Sequence, residues 1–418
     1  MAIPQRGLAL AALWTFVQGA SAQETPDPRP QDQKPQEPQQ DQKDILDELD
    51  DLRFRVDTLE QELANERAAR STAPQSASVF NPAITVFGNF VARWDDQPVF
   101  VDDDPTSERI DDRFHLRETE VDFRAAIDPW ADGVLIAALE SEVPGEFEST
   151  VEEGYLVLKK LPLLDSAPAG LKVKVGRFRT EFGRMNPVHL HDLPQPSYPR
   201  SLGNFLGTEG LVQDGVSGQF FVPLPGENQS LEAFVQVLDG GGAPVADDLQ
   251  GNDIATLGHL KYFRDLGPTS NVEVGLSGWE NDSDHQLLGV DATYKWKPLS
   301  AGEWHSFLFG GELFASRLDD PALGDDPLGW YLFGQYQLSK NTYAGVRYDR
   351  SEEVEDESLD TTSLGTYLTY YTTEFLRFRL GVEHAESDVD ELDGLNTGLL
   401  ELNLVFGSHP VEPYWVNR

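Results

Sequence analysis

The chain of 418 residues contains no cysteine. Disulfides are excluded, and so are metal sites built on thiolates. Basic residues are scarce: 32 Lys and Arg stand against 72 Asp and Glu, for a formal net charge of −40. Such a chain lacks the basic footprint that nucleic-acid binding needs, so no nucleic-acid partner is expected. No run of 18 or more apolar residues follows residue 22, which excludes a transmembrane helix there. It does not exclude transmembrane strands, whose alternating faces keep overall hydropathy low. No H-E-x-x-H, G-x-S-x-G or glycine-rich phosphate loop occurs, so neither enzyme activity nor a cofactor is expected.

What is present falls into distinct regions. The opening MAIPQRGLALAALWTFVQGASAQE has one early charge at Arg6, a short apolar core over Leu8 to Val17, and the small-residue triplet Ala20-Ser21-Ala22. This predicts a signal peptide over residues 1–22 and export of the remainder. Residues 23–43 are rich in Pro and Gln without apolar anchors and predict a disordered linker. Over residues 44–70, Ile45, Leu49, Leu52, Val56, Leu59 and Leu63 recur at alternating steps of four and three. That spacing predicts a short α-helical coiled coil. Its segment Arg55-Val56-Asp57-Thr58-Leu59-Glu60 resembles the motif of short trimeric coiled coils, so a homotrimer held partly by residues 44–66 is expected.

From residue 80 the apolar period changes to two. In LLGVDATYKWK (287–297), Leu288, Val290, Ala292, Tyr294 and Trp296 share one face, against Gly289, Asp291, Thr293, Lys295 and Lys297. In EFLRFRLGVE (374–383), Leu376, Phe378, Leu380 and Val382 oppose Arg377, Arg379 and Glu383. In ETEVDFRAAI (118–127), Val121, Phe123, Ala125 and Ile127 oppose Glu118, Glu120, Asp122 and Arg124. Sixteen such segments lie between residues 83 and 406, most near the ten residues a tilted strand needs to cross hydrocarbon. Their connections alternate between long or acidic loops and short turns. Together these features predict an all-β chain: a 16-stranded antiparallel transmembrane β-barrel over residues 80–406, preceded by the coiled coil and followed by a tail, 407–418. Trp296 and Trp304 beside one turn, and Trp279, Trp330 and Tyr331 near loops, are expected to belong to the aromatic girdles.

The longest barrel connection, 181–214, carries Phe182, Tyr198, Phe205 and four prolines. Loops of this length are usually functional, and this one is expected to fold inward and narrow the lumen. It contains His189 and His191, which an extended segment would point the same way, next to Asp192. Two histidines do not fix an ion, and further ligands would have to come from elsewhere, such as His115 or an acidic loop. No metal is therefore assigned. The expected pore-lining residues are Arg124, Lys172, Lys174, Lys295, Lys297, Arg347, Arg377 and Arg379 on strands, with Arg184, His189, His191 and Arg200 in the loop.

Four stretches carry a family resemblance: the heptad block 45–63, NPAITVFGNFVARW (81–94), VGRFRTEFGRMNPVHLHDLP (175–194) and LLELNLVFGSHPVEPYW (399–415). In these the chain resembles outer-membrane porins of the phosphate-selective porin O/P type, in particular members with an N-terminal periplasmic coiled coil. The resemblance implies a trimeric barrel in the bacterial outer membrane, in contact with its lipid. It would pass small hydrophilic solutes or ions, with anions such as phosphate among them. Glu118, Glu120 and Asp122 share the face of Arg124, so a mixed lumen is expected rather than a purely basic one. The alternative is a structural anchor whose periplasmic coiled coil tethers or spaces the envelope.

Overall fold

The computed structural model describes residues 82–407, apart from 101–108, 111–113, 142–145, 162–166, 242–253, 284, 300–303, 318–325, 355–357 and 389–392. The expected signal peptide, linker and coiled coil lie outside the described residues, as does the expected C-terminal tail except Gly407, which ends the last strand. Among the described residues no helix is long and apolar enough to cross a membrane.

The strands are β1 (Ala83–Asp95), β2 (Val99–Phe100), β3 (Arg109–Ile110), β4 (Phe114–Asp128), β5 (Ala131–Glu140), β6 (Glu148–Leu158), β7 (Lys172–Arg179), β8 (Val212–Val222) and β9 (Gln229–Leu238). They continue with β10 (Ala255–Gly267), β11 (Ser270–Glu280), β12 (Gln286–Trp296), β13 (Phe307–Arg317), β14 (Leu328–Ser339), β15 (Thr342–Glu352), β16 (Asp360–Thr373), β17 (Leu376–Ser387) and β18 (Asn396–Gly407). All but β2 and β3 join one closed barrel in which each strand pairs with its sequence neighbours and β1 closes on β18. The closing pair runs from Thr85 opposite Gly407 to Asp95 opposite Thr397. Closure leaves no strand edge, so the backbone groups of the wall are satisfied within the barrel itself.

The alternation separates two solvents. On β12, Leu288 and Val290 are exposed at 59% and 42%, while Asp291 and Thr293 on the opposite face are 3% and 7% exposed. Neighbouring strands continue the outer apolar band: Val290 pairs with Leu276 on one side and Leu313 on the other, and both are exposed. The girdle expectation needs correction at two positions. Trp279 and Tyr331 are 1% and 0% exposed, and both face the interior. Trp279 Nε1 donates to Gln213 Oε1 at 3.0 Å, and Tyr331 Oη donates to Glu312 Oε1 at 2.7 Å. Each falls on the lumen register of its strand, which decides facing before chain position near a loop does.

Candidate functional site

The connection between β7 and β8, residues 180–211, does not stand away from the barrel. Its neck is closed by the Thr180 amide donating to the Leu211 carbonyl at 3.0 Å. Asn186, fully buried, reinforces that neck: Nδ2 donates to the Thr180 carbonyl (2.8 Å) and the Leu211 carbonyl (3.2 Å), while Oδ1 accepts from the Leu211 amide (2.7 Å). The closed loop then meets the inner wall in three sectors.

The first sector is β13 and its neighbours, seven steps from β6 in the closed strand order. Glu312 Oε1 accepts the amides of Arg184 (3.1 Å) and Met185 (2.7 Å). Phe182 and Phe205 stack on Phe314 at 6.3 and 5.8 Å between ring centroids. The rings fit because two wall positions are glycine: a Cβ at Gly289 would stand 2.6 Å from the Phe182 ring, and one at Gly329 2.6 Å from the Phe205 ring. Phe205 belongs to α1 (Arg200–Leu206), a short helix that packs against β13, β14 and β15. With Met185, Leu193, Leu202, Leu206 and wall residues such as Leu257, Trp279 and Phe333, these rings form an apolar core inside the barrel.

The second sector is β15, β17 and β18. Arg379 Nη2 donates to the Leu193 carbonyl at 2.8 Å and Nη1 to the Gln195 carbonyl at 2.5 Å. Arg347 donates to the Ser197 carbonyl at 2.8 Å and pairs with Asp349 at 2.6 Å and Glu383 at 2.9 Å. Arg200 of α1 reaches the same Glu383 at 2.8 Å. Glu401 collects Arg377 (2.8 Å), Arg117 (3.3 Å) and Arg379 (3.4 Å). Arg347, Arg377 and Arg379 therefore face the lumen side of the wall, but carboxylates and loop carbonyls cover them.

The third sector brings both histidines to β4 and β6. His189 Nε2 lies 2.8 Å from Glu153 Oε1, and its Nδ1 lies 2.9 Å from Glu152 Oε2 and 3.4 Å from Glu120 Oε2. His191 Nδ1 lies 3.2 Å from the same Glu120 Oε2, and its ring stacks on Phe87 at 3.9 Å. The segment is not extended: Leu190–Asp192 forms a single 3-10 turn. Asp192 is a poor partner, its carboxylate 3.8 Å from His191 Nε2 and 40% exposed. Burial opposes charge on both histidines, but the surrounding carboxylates, Glu120 foremost, together outweigh it in each. His189 is held well above its ordinary pKa, and His191, with help from Asp192, is pushed up to about 9.

Two β-bulges explain how the third wall is built. Between β5 and β6, Ile136 pairs with Glu153 but Ala137 pairs with Val151, leaving Glu152 as the extra residue. Between β1 and β4, Asn89 pairs with Glu118 but Phe90 pairs with Leu116, leaving Arg117 extra. A bulge turns two successive side chains towards one face. Glu152 and Glu153 are accordingly both 6% exposed on the lumen side. Sequence reasoning missed Glu152, Glu153, Arg179, Glu312 and Glu401 as site residues. Arg179 joins this sector through Glu152 at 3.1 Å.

The remaining expected residues lie elsewhere. Lys174 is half-buried and bridges to Glu181 at 3.3 Å, and Arg184 pairs with Glu273 at 2.6 Å. Arg124 is more exposed and pairs with Asp122 at 2.7 Å. Lys295 is half-buried on β12, while Lys172 and Lys297 are exposed. Apart from the Arg184 amide on Glu312, none of these joins the three sectors at which residues 185–206 are held.

No family model matches the chain. A protein of Aquifex aeolicus (strain VF5), described only as uncharacterized, is 27% identical over 346 residues, covering 72% of this chain and 70% of its own. Among solved structures, Pseudomonas putida OprB superposes with a TM-score of 0.52 at 10% identity, over 78% of this chain and 94% of that one. The outer membrane channel DcaP of Acinetobacter baumannii gives 0.50 at 10% identity, over 78% and 97%. The shared property at such identities is the fold, and this chain has the closed β-barrel fold of those outer-membrane proteins.

Proposed function

We propose that the protein is an outer-membrane channel through which small hydrophilic solutes or ions diffuse passively, and that residues 180–211 form its constriction. The observation that carries this reading is the pairing of an apolar outer face with a charged interior, crossed by a loop anchored at three sectors. Sixteen strands enclose more space than side chains alone fill, and such barrels usually leave an aqueous path. The resemblance to coiled-coil porins adds a periplasmic N-terminal region and a trimer.

The phosphate-selective refinement finds less support than a general pore. Arg347, Arg377 and Arg379 already hold carboxylates and loop carbonyls, whereas an anion ladder needs guanidinium groups offered to the solute. The strongly acidic chain, net −40, raises local cation concentration at a pore mouth. Recordings in planar bilayers under a salt gradient test both parts. A reversal potential biased weakly towards cations is expected, and a clear anion bias would restore the phosphate refinement.

A second reading has one observation of its own. The apolar core formed by Phe182, Met185, Leu202, Phe205 and wall residues fills part of the interior. A barrel stoppered in this way would serve as an anchor for the N-terminal region. Folded protein that inserts but never conducts would favour it.

A further inference from the structure

The third sector has a feature that neither a channel nor an anchor requires. His189 Nε2 faces Glu153 Oε1 at 2.8 Å, and an ionised carboxylate can only accept, so Nε2 carries the proton. In the neutral ring Nδ1 is then a lone pair. Yet Nδ1 is aimed at Glu152 Oε2 and Glu120 Oε2, at 2.9 and 3.4 Å. Glu120 Oε2 in turn meets His191 Nδ1 at 3.2 Å. Acceptor atoms that face one another at this range need a cation between them, either the second ring proton of an imidazolium or a metal ion.

Conventional hydrogen bonds do not supply it. His189 Nδ1, His191 Nδ1, Glu120 Oε2, Glu118 Oε2 and Glu152 Oε1 are all buried without a hydrogen-bond partner. Glu120 and His191 are 1% and 3% exposed. Leaving several such groups unmatched in one place is costly, about 1–3 kcal/mol each and more when charged.

We propose that this cluster binds one divalent transition-metal ion on Glu120, with either His189 Nδ1 and Glu152 or His191 Nδ1 and Glu118 as the other protein ligands and solvent completing the shell. Ligand atoms from Glu118, Glu120 and His191 lie within 4.8 Å of one another, as do those from Glu120, Glu152 and His189. Ligands bound at zinc distances around a tetrahedral ion stand roughly 3.3 Å apart. The observed contacts of 3.2 and 3.4 Å about Glu120 match that spacing. Glu153 fits the outer role: a carboxylate accepting from the far nitrogen of a ligand histidine fixes its tautomer and raises its basicity. An imidazole with two carboxylates suits zinc, nickel or iron(II), whereas calcium and magnesium favour oxygen-only shells. The ion would rivet the 189–191 turn to β4, and with Glu152 also to β6, across the bulges that turned those carboxylates inward. Binding of this kind does not depend on the channel reading, because it needs only the folded barrel.

The test uses the full chain in detergent, stripped with a chelator, desalted, and titrated with Zn2+ and separately with Co2+. One zinc per chain surviving a second desalting is expected, and Co2+ should show the visible ligand-field bands of a nitrogen–oxygen site. His189→Ala with His191→Ala should lower affinity by at least about 100-fold, and Glu153→Gln by roughly 10- to 100-fold where His189 is the ligand. Glu120→Gln, nearly isosteric, should lose zinc as well and stands in for the double variant if that one fails to fold, with folding judged by heat-modifiable migration. Binding that the Glu120→Gln and histidine variants leave unchanged would overturn the proposal. So would folded wild-type protein that retains no stoichiometric zinc; the cluster would then be held by imidazolium–carboxylate pairs.

Discussion

Arg379→Ala should loosen the loop without loosening the barrel. Arg379 is 1% exposed on β17, and its guanidinium is the donor for the Leu193 and Gln195 carbonyls. It lies 3.4 Å from Glu401, but Arg377 at 2.8 Å and Arg117 at 3.3 Å also hold that carboxylate. The substitution therefore does not strand a buried charge, and the about 3–5 kcal/mol typical of breaking a buried pair is an upper bound. What remains is two carbonyls without donors, at about 1–3 kcal/mol each when they stay buried. Taking about 3 kcal/mol for the sum, the undocked population of segment 193–197 rises roughly 100-fold. The wall itself is closed by backbone hydrogen bonds that the change does not touch. Single-channel recording should therefore show larger or noisier conductance, with heat-modifiable migration as in the wild type. Arg350→Ala is the control. Arg350 and Asp360 form an exposed pair, 50% and 25%, worth about 0–1 kcal/mol, so its trace should match the wild type. Identical conductance and noise in Arg379→Ala and wild type would refute the claim that this arginine docks the loop.

Other outcomes follow from the same geometry. Asn186→Ala removes four hydrogen bonds at the loop neck, three of them to the backbone, and should increase proteolysis within 187–206 while the barrel core stays protected. Val290→Arg places a charge among Leu276 and Leu313 on the outer face and should cost about 2–4 kcal/mol in denaturant titrations of folding into lipid vesicles. A much smaller penalty would mean that this face does not meet hydrocarbon. Deleting residues 23–70 should leave a heat-modifiable barrel but weaken the proposed trimer, as read by light scattering in mild detergent.

The barrel was legible because a half-buried strand writes its facing into every second residue. Leu288 and Asp291 sort as expected, and the quoted stretches 118–127, 287–297 and 374–383 fall largely on the strands Phe114–Asp128, Gln286–Trp296 and Leu376–Ser387. The inward fold of the 180–211 connection was legible from its length and aromatic content. Its attachments were not. Alternation says which way Arg347, Arg377 and Arg379 point, but not that Leu193, Gln195 and Ser197 carbonyls come to cover them. The bulge at Glu152 breaks the period of two at the position where the histidines dock, so the pattern that located the strand concealed the site. The partners of His189 are also far away in sequence, 36 residues in the case of Glu153.

The central claim is that the barrel interior is a water path narrowed by residues 180–211. Replacing residues 187–206 with a short Gly-Ser link removes all three attachments beyond Met185 and spares the neck at Thr180, Asn186 and Leu211. Planar-bilayer conductance of this variant against the wild type is the direct measurement. The account predicts unitary steps from the wild-type protein and clearly larger steps from the variant, at equal salt. Equal steps from both, with both barrels folded and inserted, would contradict it.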